Sequence, residues 1–288
     1  IFFFFLLSEH IKPFPKLMLL TALLLSGFVS ATIISAAFIL LFPDFNNTPA
    51  GGLLVQGICS LVTFGLSALV YFWVFDRDFR FALSLPKDKR LFVWAAVLPI
   101  CLIPLIDYLN ILNGQIHFRG EEIWRQMQES SSLTLERLFS LGGVWGFVAV
   151  TFVMAVIPAV VEEFFFRGAL QRLLKTWLKS TFWAIVISSA IFSFIHFEIF
   201  SFVPRFVMSC IMGTLFALTG SIWAGILYHF VNNFVSCLFY FLYNSNYIAQ
   251  AESEVYSQEV WLIALSIAIL VLFILRAYLI NRKSANCD

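Results

Sequence analysis

The stretch 161–168, Val-Glu-Glu-Phe-Phe-Phe-Arg-Gly, carries two adjacent carboxylates and an arginine inside an otherwise apolar sequence. Residues 141–161 contain no charged side chain, and the only ionisable residue in 181–197 is His196. Charged side chains are costly inside a membrane, where they usually mark a functional site. Glu163 and Arg167 are i and i+4 with the acid first, which predicts a helical ion pair. Glu162 is then left without an obvious partner.

The position of His196 makes it a candidate partner for Glu162. If the helices that contain them form an antiparallel hairpin turning near Lys179, each residue lies 17 positions from the turn. At 1.5 Å per residue, both side chains then lie about 20–25 Å from the turn. The two side chains are therefore expected to face each other at the same depth.

A third polar group follows on a later apolar segment. His229 and Asn233 are i and i+4 and share one helical face, with Asn232 close by. His229 lies nine residues beyond Gly220, where a tight turn is expected, so it is about 13 Å into its helix. The difference in depth indicates either helix tilt or a helix end that is misplaced in this assignment. Three helices are thus predicted to bring these residues to Glu162 and His196.

Such a set of side chains supports hydrolysis. A carboxylate shielded from water is a stronger base, so Glu162 is suited to take a proton from water. His196 could orient that water or protonate a leaving amine, and His229 and Asn233 could donate hydrogen bonds to an oxyanion. Zinc is the other possibility, with Glu162, His196 and His229 as ligands and a fourth position for water. The HExxH motif of soluble metalloproteases is absent. The pattern leaves zinc and a metal-free mechanism both open.

The composition indicates the kind of protein that must position these residues. Of 288 residues, 61% are hydrophobic and 12% are charged, whereas a soluble domain has about 25% charged residues. The net charge of +1 gives no sign of nucleic-acid binding. We therefore expect an all-α polytopic membrane protein with an intramembrane active-site cavity.

Eight apolar segments come near the length of about 20 residues that a spanning helix needs. Pro99 and Pro104 are expected to bend the third of them, and Pro158 the fourth. Between the third and fourth, residues 113–140 predict one or two amphipathic helices at the membrane interface. The predicted spans are 17–42, 52–75, 91–112, 142–174, 181–202, 204–218, 222–242 and 260–279.

The loops between these spans predict the topology and the organisation of the chain. Basic residues concentrate in alternate loops, which favours eight spans with both termini cytoplasmic. We predict three parts. Residues 1–140 form the first three spans and the amphipathic connector, residues 141–243 form the catalytic core, and residues 244–288 form a loop and the last span.

Three motifs follow one another on successive predicted helices, and together they resemble the CPBP family, also called Abi. This family includes the type II CAAX prenyl endopeptidases and bacteriocin-processing or immunity proteins. The resemblance extends over about residues 144–242. The motifs are Glu162-Glu163-x-x-x-Arg167-Gly168, Phe192-x-x-x-His196 and His229-x-x-x-Asn233.

The resemblance implies an eight-helix intramembrane protease that cleaves peptides or membrane-protein substrates. Glu162 would activate water with His196, while His229 and Asn233 would stabilise the oxyanion. Both a zinc-dependent and a metal-free glutamate mechanism have been proposed for the family. Its eukaryotic branch cleaves a prenylated C-terminal tripeptide, but no residue here indicates a prenylated substrate. The short chain is typical of bacteria, so the expected location is the inner membrane.

Two other classes of function compete with this interpretation. The same fold could serve as a non-catalytic immunity or scaffold protein of the membrane. A proton-coupled carrier would also use intramembrane Glu and His residues. No internal repeat or pair of broken helices in the sequence supports a carrier.

Overall fold

The computed structural model describes residues 11–75, 82, 84–85, 88–245 and 259–285, and all regular secondary structure among them is helical. Helices satisfy backbone hydrogen bonds within the segment, as an apolar chain in lipid requires. The predicted all-α class is confirmed. In chain order the helices are α1 Pro13–Leu41, α2 Pro43–Asn46, α3 Pro49–Phe75, α4 Lys89–Cys101, α5 Ile103–Gly114, α6 Glu121–Phe139, α7 Gly143–Leu178, α8 Thr181–Phe194, α9 Phe202–Thr219, α10 Ile222–Asn244 and α11 Val260–Ala285.

Among the described residues, six helical segments are long and apolar enough to cross a membrane. They are α1, α3, α7, α10, α11 and the segment Ile199–Thr219, which contains α9. Helices α4 and α5 count as a seventh span if the pair is taken as one segment bent by 51°. The bend lies at Leu102, between Pro99 and Pro104, as the two prolines predicted. The protein is a polytopic membrane protein, but the predicted count of eight spans is not confirmed.

The difference in the count arises in the fifth predicted span, 181–202. Helix α8 has only 14 residues and ends at Phe194, and its length of about 21 Å is too short to cross the hydrocarbon. The next four residues leave the helix, and Phe197 has a φ of 55°. A short 3₁₀ turn, Ile199–Ser201, then leads into α9. The apolar composition continues through this break, so composition alone did not predict it.

The orientation in the membrane stays a prediction. Most of the basic loop after α3 and the side chains of Arg282 and Lys283 lie outside the described residues. So does most of the polar loop before α11, residues 246–258. The proposed division into three parts is likewise still a prediction.

Helix α7 is at the centre of the fold and packs against α1, α3, α8 and α10. It contains two π-helical segments, Phe152–Val156 and Phe164–Gln171, with the α-helical turns Ile157–Glu163 between them. Pro158 lies in the first of those turns, directly after the first π segment. π-Helical turns are rare and often occur at functional sites. The charged stretch 161–168 thus begins in the α-helical turns between the two π segments and continues into the second π segment.

The amphipathic connector forms one helix, α6, where the sequence predicted one or two. It contacts α3, α7 and α10. Leu138 near its end is buried, whereas Ile123 near its start is exposed. Helix α6 therefore lies across the ends of the spans that surround the candidate site.

Close packing of α1 on α3 gives a test of the fold. A Cβ added to Gly27 would lie 2.9 Å from both Cα and O of Thr63, so Gly27→Ala must push two backbones apart. We expect a lower midpoint of thermal unfolding in detergent. Gly114→Ala is the control, because nothing lies within 4 Å of its added Cβ. Equal midpoints for the two variants would contradict this packing.

Candidate active site

Helices α7 and α8 form the predicted hairpin. Lys179 takes a left-handed conformation at the turn, with a φ of 51°. The side chain of Ser180 then caps α8 by accepting a hydrogen bond from the backbone N–H of Trp183. The hairpin brings Nε2 of His196 within 4.0 Å of Oε2 of Glu162. The two residues therefore lie at matching depth, as the spacing from the turn predicted.

The orientation of His196 is set by a backbone carbonyl. Its Nδ1 lies 2.7 Å from the carbonyl oxygen of Phe192, and because a carbonyl only accepts, Nδ1 must carry a proton. In the neutral ring, Nε2 is then an acceptor that faces Glu162. Glu162 itself is buried, and its Oε2 has no hydrogen-bond partner among the described residues. The site thus holds two acceptors that face each other across a small gap.

The predicted ion pair between Glu163 and Arg167 is present and buried. Nη1 of Arg167 donates to Oε1 of Glu163 over 2.8 Å, and neither side chain is more than 1% exposed. Nη2 of Arg167 also donates to the backbone oxygen and Oγ of Ser209, both over 2.9 Å. This serine of α9 was not predicted. The arginine therefore ties α7 to α9.

The residues on α10 are engaged with other protein groups. Nδ1 of His229 lies 3.4 Å from Oε1 of Glu163, so this histidine contacts the ion pair. Nδ2 of Asn233 donates to the carbonyl oxygen of Met154 over 3.2 Å. Oδ1 of Asn233 accepts from Nδ2 of Asn232, also over 3.2 Å. Met154 lies in the first π segment of α7, so Asn233 ties α10 to that segment.

One cavity of about 850 Å³ collects the residues that the sequence proposed as catalytic. Its walls come from α3 and from every helix from α5 to α10, and from the irregular stretch after α8. Glu163 and Arg167, which were assigned a supporting role, lie behind its wall and do not line it. The lining includes Glu162, His196, His229 and Asn233.

Several polar residues of this cavity were missed by the sequence analysis. Glu198 and Arg205 form an ion pair of 2.6 Å in its wall. Their opposite charges, seven residues apart between apolar segments, were the available signal. Tyr228 and Gln128 also line the cavity. A second cavity of about 400 Å³, walled partly by α6, lies against His196 on another side.

The candidate zinc ligands do not converge. Zinc holds nitrogen and oxygen ligands at about 2.0–2.2 Å, yet His229 faces Glu163, whereas His196 faces Glu162. In the described part of the chain, no three His, Cys, Asp or Glu side chains are arranged to hold a metal ion. The donor set of Glu162, His196 and His229 therefore does not fit zinc in this structure.

Fold and site together define a polytopic helical membrane protein in which a buried carboxylate lies beside a partly buried histidine at a cavity. Residues 144–235 match the family described as Type II CAAX prenyl endopeptidase Rce1-like. The matched segment begins in α7 and ends in α10, so it contains all three motifs and carries a domain of this CAAX protease family. The resemblance found in the sequence is confirmed. Comparison with curated proteins and with solved structures gave no match.

The buried ion pair gives a prediction about stability. Arg167→Met leaves the carboxylate of Glu163 buried without its cation, which should lower the free energy of unfolding by about 3–5 kcal/mol. Glu163→Gln combined with Arg167→Met should be less destabilised than the sum of the single variants. The free energy of unfolding in mixed detergent micelles is measured for the wild type, each single variant and the double variant. Strictly additive effects would show that the pair contributes no coupling.

Proposed function

We propose that this protein is an intramembrane endopeptidase that hydrolyses peptide bonds, with Glu162 as the general base. The observation that carries the proposal is the approach of Glu162 to His196, 4.0 Å apart, in a cavity of about 850 Å³. The pair lies inside the segment that matches the CAAX endopeptidase family. Burial of an unpaired carboxylate is expensive, which favours a role in chemistry.

The spacing of the pair supports activation of one water molecule. Hydrogen bonds of about 2.8 Å from water to each acceptor can span a gap of this size. The water donates one hydrogen to Nε2 of His196 and the other to Oε2 of Glu162. Glu162 then takes its proton while the water oxygen forms a bond to the carbonyl carbon of the substrate. His196 orients the water and ends the step unchanged.

Collapse of the tetrahedral adduct completes the reaction. The electron pair on the oxyanion re-forms the carbonyl, and the bond between carbon and the amide nitrogen breaks. The proton held by Glu162 moves to the departing nitrogen. One water is consumed, a carboxylic acid and an amine are released, and Glu162 is again ionised.

The substrates that we propose are peptides or segments of membrane proteins. The cavity is lined by many polar side chains together with apolar ones such as Leu135, Met154 and Met208, which suits the polar backbone and apolar side chains of a peptide. We propose that both termini are cytoplasmic, because basic loops alternate along the sequence, and we expect the membrane to be the inner membrane of a bacterium. The proposal includes no nucleic-acid partner.

Replacement of Glu162 by glutamine is the direct test. Glu162→Gln keeps the shape of the side chain but removes the base, so we expect the turnover rate to fall by about 10²–10⁴-fold with an unchanged fold. The control is Glu122→Gln, an exposed carboxylate on α6. Full-length proteins in nanodiscs are assayed on an internally quenched peptide library, and the peptides that accumulate in cells are compared. Cleavage by Glu162→Gln at the wild-type rate would refute the role of Glu162.

The mechanism that we propose has no metal, which gives a separate prediction. Purified, active protein should contain less than stoichiometric zinc by elemental analysis. Its activity should survive a chelator such as 1,10-phenanthroline. Loss of activity with the chelator and recovery on adding zinc would contradict the metal-free mechanism while leaving the peptidase assignment intact.

A further inference from the structure

Tyr228 is a cavity residue that the mechanism above does not use. It lies in the second turn of α10, is 1% exposed and lines the large cavity. Its hydroxyl has no hydrogen-bond partner among the residues that the structure describes. A buried tyrosine hydroxyl usually finds a partner, and leaving it without one costs about 1–3 kcal/mol. A group kept at such a cost calls for a functional explanation.

The two asparagine amides of α10 at the cavity each donate a hydrogen bond within the protein. The amide of Asn233 donates to Met154, and that of Asn232 donates to Asn233. Nδ1 of His229 faces the carboxylate of Glu163, which favours a proton on that nitrogen. In a neutral ring with that proton, Nε2 is an acceptor, and it donates only when the ring is protonated. The hydroxyl of Tyr228 is a buried donor of this helix that has no partner among the described residues.

Helix α10, which carries this hydroxyl, packs closely against α7. One turn before Tyr228, a Cβ added to Gly225 would lie 2.5 Å from Oε2 of Glu163, so the helix rests directly on the buried carboxylate. Ala224, four residues before Tyr228, is fully buried. A rigid helix seated on the neighbour of Glu162 therefore carries the tyrosine, and such rigidity is what a preorganised donor requires.

We propose that Tyr228 is a further catalytic residue, whose hydroxyl donates a hydrogen bond to the carbonyl oxygen of the scissile peptide. The inference rests on the proposed endopeptidase function. When the water oxygen adds to the carbonyl carbon, the electron pair of the carbonyl moves to that oxygen. The hydroxyl of Tyr228 stabilises the negative charge without giving up its proton. The hydrogen bond weakens again when the carbonyl re-forms and the carbon–nitrogen bond breaks.

Tyr228→Phe removes the hydroxyl and keeps the ring. We expect kcat to fall about 100-fold, the order found when one oxyanion donor is removed, with KM changed by less than about threefold. The unfolding midpoint should stay equal or rise, because an unsatisfied buried hydroxyl is lost. The substrate is the library peptide that the wild type cleaves fastest. Tyr278→Phe, on the exposed face of α11, is the matched control and should behave as wild type.

The outcomes separate this inference from the proposed function. Wild-type kcat in Tyr228→Phe, with Glu162→Gln inactive, would overturn the role of Tyr228 and leave the peptidase standing. A rise in KM alone would assign the hydroxyl to substrate binding and overturn its role at the oxyanion. A clearly lower unfolding midpoint would show a structural hydrogen bond and overturn it too. If the wild type cleaves no peptide, the proposed function fails and the inference fails with it.

Discussion

The rest of the site depends on the buried ion pair between Glu163 and Arg167. Two charges in an apolar interior are tolerated because they pair with each other and because Ser209 accepts two further hydrogen bonds from the guanidinium. The pair is also the point where α9 and α10 meet α7. Successive residues of a helix point about 100° apart. Once Glu163 is fixed inward, Glu162 is turned towards the cavity.

The part of the site that follows from local rules could be predicted from the sequence. The ion pair needs only an i,i+4 spacing, and the approach of Glu162 to His196 needs only the helical rise and a turn at Lys179. The early end of α8 at Phe194 could not be predicted. The apolar composition continues across the point where α8 ends. Just beyond that point, Glu198 forms an ion pair with Arg205 of α9, a contact that only the folded chain brings about.

The hydrogen-bond partners of the polar side chains also could not be predicted from the sequence. The oxyanion role expected for Asn233 stays a prediction, and no sequence pattern indicated that its amide donates a hydrogen bond to Met154 in a π-helical turn of α7. Whether a helix takes such a wide turn depends on the helices packed around it, not on a local pattern. Tyr228 gave no signal for the same reason, since only the folded structure shows which buried donors have partners.

The irregular stretch 195–198 has a consequence for how water enters this protein. Non-helical backbone among membrane helices is tolerated where it is buried in protein or lines a water-filled space. Side chains of this stretch, His196 and Glu198, line the large cavity. Because this stretch lines a cavity with many polar side chains, we expect water to enter the cavity. For the proposed hydrolysis, the cavity would then supply water directly beside Glu162. The reaction would not depend on water crossing the hydrocarbon of the membrane.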